Sequence, residues 1–239
     1  MSGHSHWATT HRQKGVNDAK RGAVFTKYGR NITVAANHGG GNPDANFSLR
    51  LAIDQAKSVN MPKENIERAI KRGTGELKDG VQIEELTYDA YGPGNVALLI
   101  ETTTDNKNRT VSEIKSILTK GAGKFVPAGS VSFLFKRVGM LSFPATKEEL
   151  ESYELTAIDS GADDFSSEEG YFIVYTKPED FQSVKDFFEK AGRIPEIAKL
   201  GYLPLQTTTL PENAVTAFEK LLETLDDHQD VQTVWTNLE

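Results

Sequence analysis

Cysteine is absent from this sequence, which excludes a disulfide framework, thiolate zinc sites, iron–sulfur ligation and a thiol nucleophile. The absence also fits a reducing compartment. No apolar run approaches the ~18 residues of a membrane-spanning helix, and no apolar leader core follows Met1, so a cytoplasmic location is expected and no membrane partner. Heptads, low-complexity tracts and multi-copy repeats are missing. So are the GxSxG, HExxH and GxGxxG fingerprints of hydrolytic, metal-dependent and dinucleotide chemistry. Asp163-Asp164 and Asp226-Asp227 are carboxylate pairs of the kind an acidic composition produces by itself. A non-catalytic protein without cofactor is expected.

What remains is an ordinary globular composition. Of 239 residues, 38% are hydrophobic and 26% charged, enough for a packed core in one large or two to three small domains. The net charge of −7 argues against a polyanion partner until it is resolved along the chain. Residues 1–76 hold 12 Lys/Arg against 6 Asp/Glu, and residues 77–239 hold 15 against 28. A basic end on an acidic body suggests a polyanion-facing segment. The competing reading is chance on the surface of a helical module.

Residues 1–15 are polar and show neither helical nor strand period, as in an extended or mobile arm. A helix is expected over 17–36, with Val24, Phe25, Tyr28, Ile32, Ala35 and Ala36 at core-face spacing. The glycines of HGGGNP (38–43) stop it, and Asn42-Pro43 suits the N-cap and first turn of a second helix to about Val59. HGGGNP lacks the Lys-Ser/Thr of a phosphate loop and follows no strand. A third helix is expected from Pro62 to Gly73. Together these make a three-helix bundle, residues 1–76. Gly73–Gly80 reads as a linker across which the bundle should move.

Beyond the linker the period changes. Asn95–Glu101 is a strand candidate, Arg109–Lys120 a helix and Ser130–Phe135 a strand. Strands at 139–143, 163–165, 171–175 and 197–207 alternate with helices at 147–160 and 178–191. The order β-α-β-β-α-β is the ferredoxin-like unit. A last helix (211–225) and strand (231–235) would return to the earlier β-α-β. The expected fold is therefore α+β and multidomain: a three-helix bundle, a discontinuous α+β domain (81–137 plus 208–239), and a ferredoxin-like domain (138–207) inserted in it.

The candidate interface is basic. On a helical wheel Lys20, Lys27 and Arg30 lie opposite the apolar positions, and Arg12 and Lys14 extend that stripe into the arm. Arg21 falls on the apolar side. The alternative is a solvated helix face, but such faces carry both signs of charge and Asp18 is the sole acid here. Trp7 sits among His4, His6 and His11, where it could stack on an unpaired base or fold back onto the bundle. The three imidazoles do not match a zinc spacing, and no metal is expected. Lys107 and Arg109 place positive charge at a helix start, against the dipole, so an external anion explains them better than local stability.

GHSHW (3–7), THRQKGVNDAKRG (10–22), GGGNPDAN (39–46) and NMPKENIERAIKRGTG (60–75) closely resemble the signature of the YebC family. So do TDNKNRT (104–110), GSVSFLF (129–135), SGADDF (160–165) and DVQTVWTN (230–237). The resemblance spans nearly the whole chain. It implies three N-terminal helices followed by two α+β domains, one inserted in the other. It also implies a DNA-binding transcriptional regulator, with mitochondrial relatives that activate translation and a ribosome-linked role as the alternative. The family usually has lysine where His6 stands, so the arm is less cationic here. The expected partner is DNA or ribosomal RNA, alone or on the ribosome, met by a monomer. The second alternative is a non-catalytic adaptor docking a protein on its acidic half.

Overall fold

The computed structural model describes residues 21–77, 83–168 and 170–239. The chain runs through α1 (Arg21–Gly39), α2 (Phe47–Ser58) and α3 (Lys63–Gly73), then β1 (Glu84–Tyr91), β2 (Ala97–Thr104), α4 (Lys107–Lys120) and β3 (Lys124–Phe125). It continues through β4 (Phe135–Pro144), α5 (Leu150–Ser160), β5 (Asp164–Glu168), β6 (Tyr171–Thr176), α6 (Phe181–Lys190) and β7 (Ile197–Pro204). It closes with α7 (Glu212–Asp226) and β8 (Val231–Thr236). Two compact units result: residues up to Leu134 together with Thr207–Glu239, and Phe135–Gln206.

In the first unit α1 packs on α2 and α3 through Ile32, Ala35, Ala36, Leu49, Ile53 and Ile66. The crossing of α1 and α3 is close enough that a Cβ on Gly73 would lie 2.3 Å from the Thr33 carbonyl oxygen. The second helix starts later than Asn42-Pro43 suggests. Its N-cap is Asn46, whose side-chain oxygen accepts from the Leu49 N–H at 3.1 Å. The Asn46 amide also donates to the carbonyls of Ala35 (2.7 Å) and Gly40 (2.8 Å). Tertiary packing selects this asparagine because it satisfies the end of α1 and the start of α2 together. Asn42 instead closes a turn, accepting from the Asp44 N–H.

The first sheet has the order β3-β1-β2-β8, all antiparallel. Leu98, Ile100, Ile114, Phe218, Leu225 and Val234 form its core with α4 and α7. Strand β1 was not expected from its pattern, since EELTYDAY lacks clean alternation at its exposed start. Of the expected strand Ser130–Phe135 only Phe135 is in a strand, as the first residue of β4; residues 130–134 form a loop with a short turn at Ser132–Leu134. Its cause is the buried Asp89, whose carboxylate accepts from the N–H groups of Val131 (2.9 Å) and Ser132 (3.2 Å). These amides cannot then serve a strand ladder. The α1–α3 bundle and this sheet belong to one compact unit. Arg30 of α1 bonds to Asp230 beside β8, as described below; part of the expected linker, residues 78–82, lies outside the described residues.

The second unit is β-α-β-β-α-β with sheet order β5-β6-β4-β7, every pair antiparallel. Its first and third strands are central, which is the ferredoxin-like arrangement. Phe143 stacks on Phe188 with centroids 4.6 Å apart, and Phe172 lies beneath Tyr153 at 5.3 Å.

Candidate nucleic-acid interface

The polar face of α1 is not an open stripe. Arg30, whose side chain is 12% exposed, donates from Nη1 to Asp230 and to the Gln229 carbonyl at 3.0 Å. Asp230 is fully buried just before β8, and its carbonyl accepts from the Thr103 N–H at 2.8 Å beside the register shift between β2 and β8. Its second carboxylate oxygen takes Arg109 at 2.8 Å, Thr110 at 2.7 Å and Thr104 at 3.2 Å. Burial by itself would raise this carboxyl's pKa. The hydrogen bonds of Arg109 and Thr110 and the charge of Arg30 outweigh burial and hold it at about 2. The hydrogen bond that Arg109 donates to Asp230 also raises the pKa of Arg109 above its ordinary value.

Arg30 and Arg109, expected to face phosphate, are thus counter-charges to one internal carboxylate. Lys27 is also turned inward: burial lowers its pKa, and the carboxylates of Asp226 and Asp227 at the end of α7 oppose that shift. A wheel drawn for one helix finds only its first packing face. Here α1 buries one face on α2 and α3 and leans its cations on the acidic segment between α7 and β8.

Lys107 is exposed in the first turn of α4, with no ion pair among the described residues. His4, His6, Trp7, His11, Arg12, Lys14 and Lys20 lie outside the described residues. Arg21 opens α1, and its side chain lies outside them too.

A cleft of about 480 Å³ opens between α1 and α3. Phe25, Gly29, Met61 and Ala69 line it with Asn65, Arg68 and Arg72; Arg30 and Asp105 also border it. Asn65, Arg68 and Arg72 recur at i, i+3 and i+7 on α3, so they share one face. Arg68 is exposed and makes no ion pair among the described residues. These two arginines escaped the sequence reading, which followed the inward residues Ile66, Ala69 and Ile70. The available signal was the recurrence of arginine at i, i+4 on one face of α3.

Glu113, His228 and Asp230 bring potential ligand atoms within 4.8 Å of one another. Those atoms are already engaged. His228 accepts from the Asp230 N–H on Nδ1 (3.1 Å), which leaves Nε2 to donate to Glu113 at 2.8 Å.

Two family models match the chain. Residues 5–76 match the TACO1/YebC protein N-terminal domain, and residues 83–238 match the TACO1/YebC second and third domain. A "Probable transcriptional regulatory protein" of Geotalea uraniireducens is 47% identical over 239 residues, covering 100% of this chain and 96% of its own. A protein of the same description from Caldanaerobacter subterraneus is 45% identical, covering 100% and 98%. A crystal structure of a conserved hypothetical protein from Aquifex aeolicus superposes with a TM-score of 0.89 at 44% identity, covering 98% of this chain and 97% of that one.

Proposed function

Because the chain belongs to the TACO1/YebC family, we propose that it is a nucleic-acid-binding regulator of gene expression that acts on DNA, as relatives named probable transcriptional regulatory proteins suggest. The cationic cleft of the N-terminal helices carries this reading. Arg68 is exposed there and makes no ion pair among the described residues, Arg72 stands one turn away, and both sit on the basic end of an acidic chain. Phosphate contacts of this kind give salt-dependent affinity and orientation but carry no base sequence. The protein works as a cytoplasmic monomer and without catalysis. The buried carboxylate of Asp230 is occupied by Arg30, Arg109 and two threonines.

A translational role on RNA is the second reading. One observation favours it: the cleft joins arginines to an apolar floor, a combination suited to unpaired bases. The test is a titration of binding to duplex promoter DNA and to ribosomal RNA between 50 and 300 mM salt. Affinity falling with a slope of roughly 0.7–0.9 per phosphate contact is expected. Binding to neither polymer at low salt would refute the nucleic-acid reading. Tighter binding to ribosomal RNA at every salt concentration would replace transcription by translation.

A further inference from the structure

We propose that the outer face of α5, in the inserted ferredoxin-like unit, is a docking surface for a cationic amphipathic helix of a partner protein. This surface is separate from the nucleic-acid reading above and does not rest on it.

Helix α5 is apolar on two sides. Ala157 is fully buried, and Tyr153 packs on Phe143 and Phe172 of the sheet. Leu155 and Ile158 stand on the other side of the helix, 59% and 64% exposed. Phe187 of α6 and Ile194 beyond its end are exposed as well. Both helices cover the same face of the sheet, since Phe143 meets Tyr153 from α5 and Phe188 from α6. The Arg193 guanidinium lies 3.8 Å above the Tyr153 ring and donates to Ser152, which holds the segment carrying Ile194 against α5. Single exposed apolar residues are ordinary on a protein surface. Several on one helical layer mark an interaction site.

The charges around Leu155 and Ile158 select the occupant. Glu151, Glu154 and Asp159 are exposed on the same side of α5, which contains no Lys or Arg. None of the three makes an ion pair among the described residues. Glu151 stands in the first turn, where the helix dipole favours an anion; Asp159 stands in the last turn, where it does not. On α6, Lys185 is taken by Glu189 at 2.8 Å, and Lys190 follows at the helix end. Residues 135–206 together hold 8 Lys/Arg against 14 Asp/Glu. A phosphate backbone or an anionic membrane surface is repelled by such a face. The same face of a second copy would set carboxylate against carboxylate. A protein segment with an apolar stripe flanked by Lys/Arg satisfies both the apolar and the charged groups. Helical form suits it, because α5 has no free strand edge to extend and its Leu155–Ile158 ridge packs against a facing helix about 8–10 Å away.

The experiment uses the full chain and a labelled 18-residue helical peptide with Leu along one face and Lys elsewhere. A peptide of the same composition in scrambled order is the control. The ordered peptide is expected to bind at least tenfold tighter than the scrambled one. Leu155→Ser/Ile158→Ser changes only exposed positions and leaves every charge in place. It is expected to weaken binding of the ordered peptide at least tenfold with the salt dependence retained. Glu151→Gln/Glu154→Gln/Asp159→Asn is expected to weaken binding at 50 mM salt and to flatten its fall toward 300 mM. Equal affinity for the two peptides overturns the proposal, as does an unchanged affinity in the serine variant. Self-association of the wild type that the serine variant abolishes would give the face to a second copy, and loss of nucleic-acid binding in that variant would give it to a polyanion; either result overturns the proposal.

Discussion

Asp230→Asn tests the junction of α1 with the first sheet. The substitution keeps the shape of a fully buried side chain and removes the charge that Arg30 and Arg109 share. The carboxyl ordinarily titrates at 3.8 and is held at about 2, which corresponds to about 2 kcal/mol favouring the charged form in the fold. Arg30 loses its main counter-ion, whereas Arg109 keeps Asp105 at 2.9 Å and remains 34% exposed. Uncompensated burial of Arg30 adds to the loss, so the variant should be less stable by ~2–4 kcal/mol at pH 7. The pH dependence has a definite sign. The folded value lies below the unfolded one, so the stabilisation is complete above about pH 4 and disappears as pH falls through about 2. Urea unfolding followed by circular dichroism, on wild type and variant at pH 7, 5 and 2, measures the gap directly. Comparing the two proteins at each pH cancels the other titrating groups. The gap should hold at pH 7 and 5 and shrink by about 2 kcal/mol at pH 2. A gap of equal size at all three values, or none at pH 7, would refute the assignment of Asp230 as the charged keystone.

Two further substitutions test the helical bundle. Asn46→Ala should lower stability by ~2–3 kcal/mol in urea unfolding, since it removes the cap and strands the Ala35 and Gly40 carbonyls. Asn46→Asp keeps the acceptor for Leu49 and loses the donors, so a loss as small as that of an ordinary surface change would contradict the double role. Gly73→Ala drives a Cβ to 2.3 Å from the Thr33 carbonyl oxygen and should destabilise by at least ~1–3 kcal/mol through overpacking; an unchanged melting temperature would show that α1 and α3 part without penalty.

The packing of Arg30 against Asp230 also narrows the surface left for a polyanion. Of the cations that the sequence sets toward phosphate, Arg30 and Arg109 are drawn into an internal network and Lys27 toward the end of α7. Lys107 stays exposed, and Arg68 joins it from α3. The positive surface of the described residues therefore centres on α3 and the cleft beside it rather than on the polar stripe of α1.

The amino-acid sequence by itself determined the element types wherever local periodicity coincides with burial. Ile32, Ala35 and Ala36 on α1, Ile66 and Ala69 on α3, and the aromatic run Tyr171–Tyr175 each declare the face they bury. The β-α-β-β-α-β order was legible for the same reason, because strands and helices alternate there with clear changes of period. The α+β fold and the family signature followed from these. Tertiary structure alone decided what depends on a distant partner. Strand β1 exists because β2 and β3 pair with it, not because EELTYDAY alternates. Residues 130–134 form a loop because Asp89, some forty residues away in the chain, takes the amides of Val131 and Ser132. Arg30 and Arg109 face inward because Asp230 is brought to them from near the C-terminus. A charged side chain reads the same in sequence whether it meets solvent, a phosphate or a buried carboxylate; only the fold supplies the partner, and desolvation of that partner sets the strength of the bond.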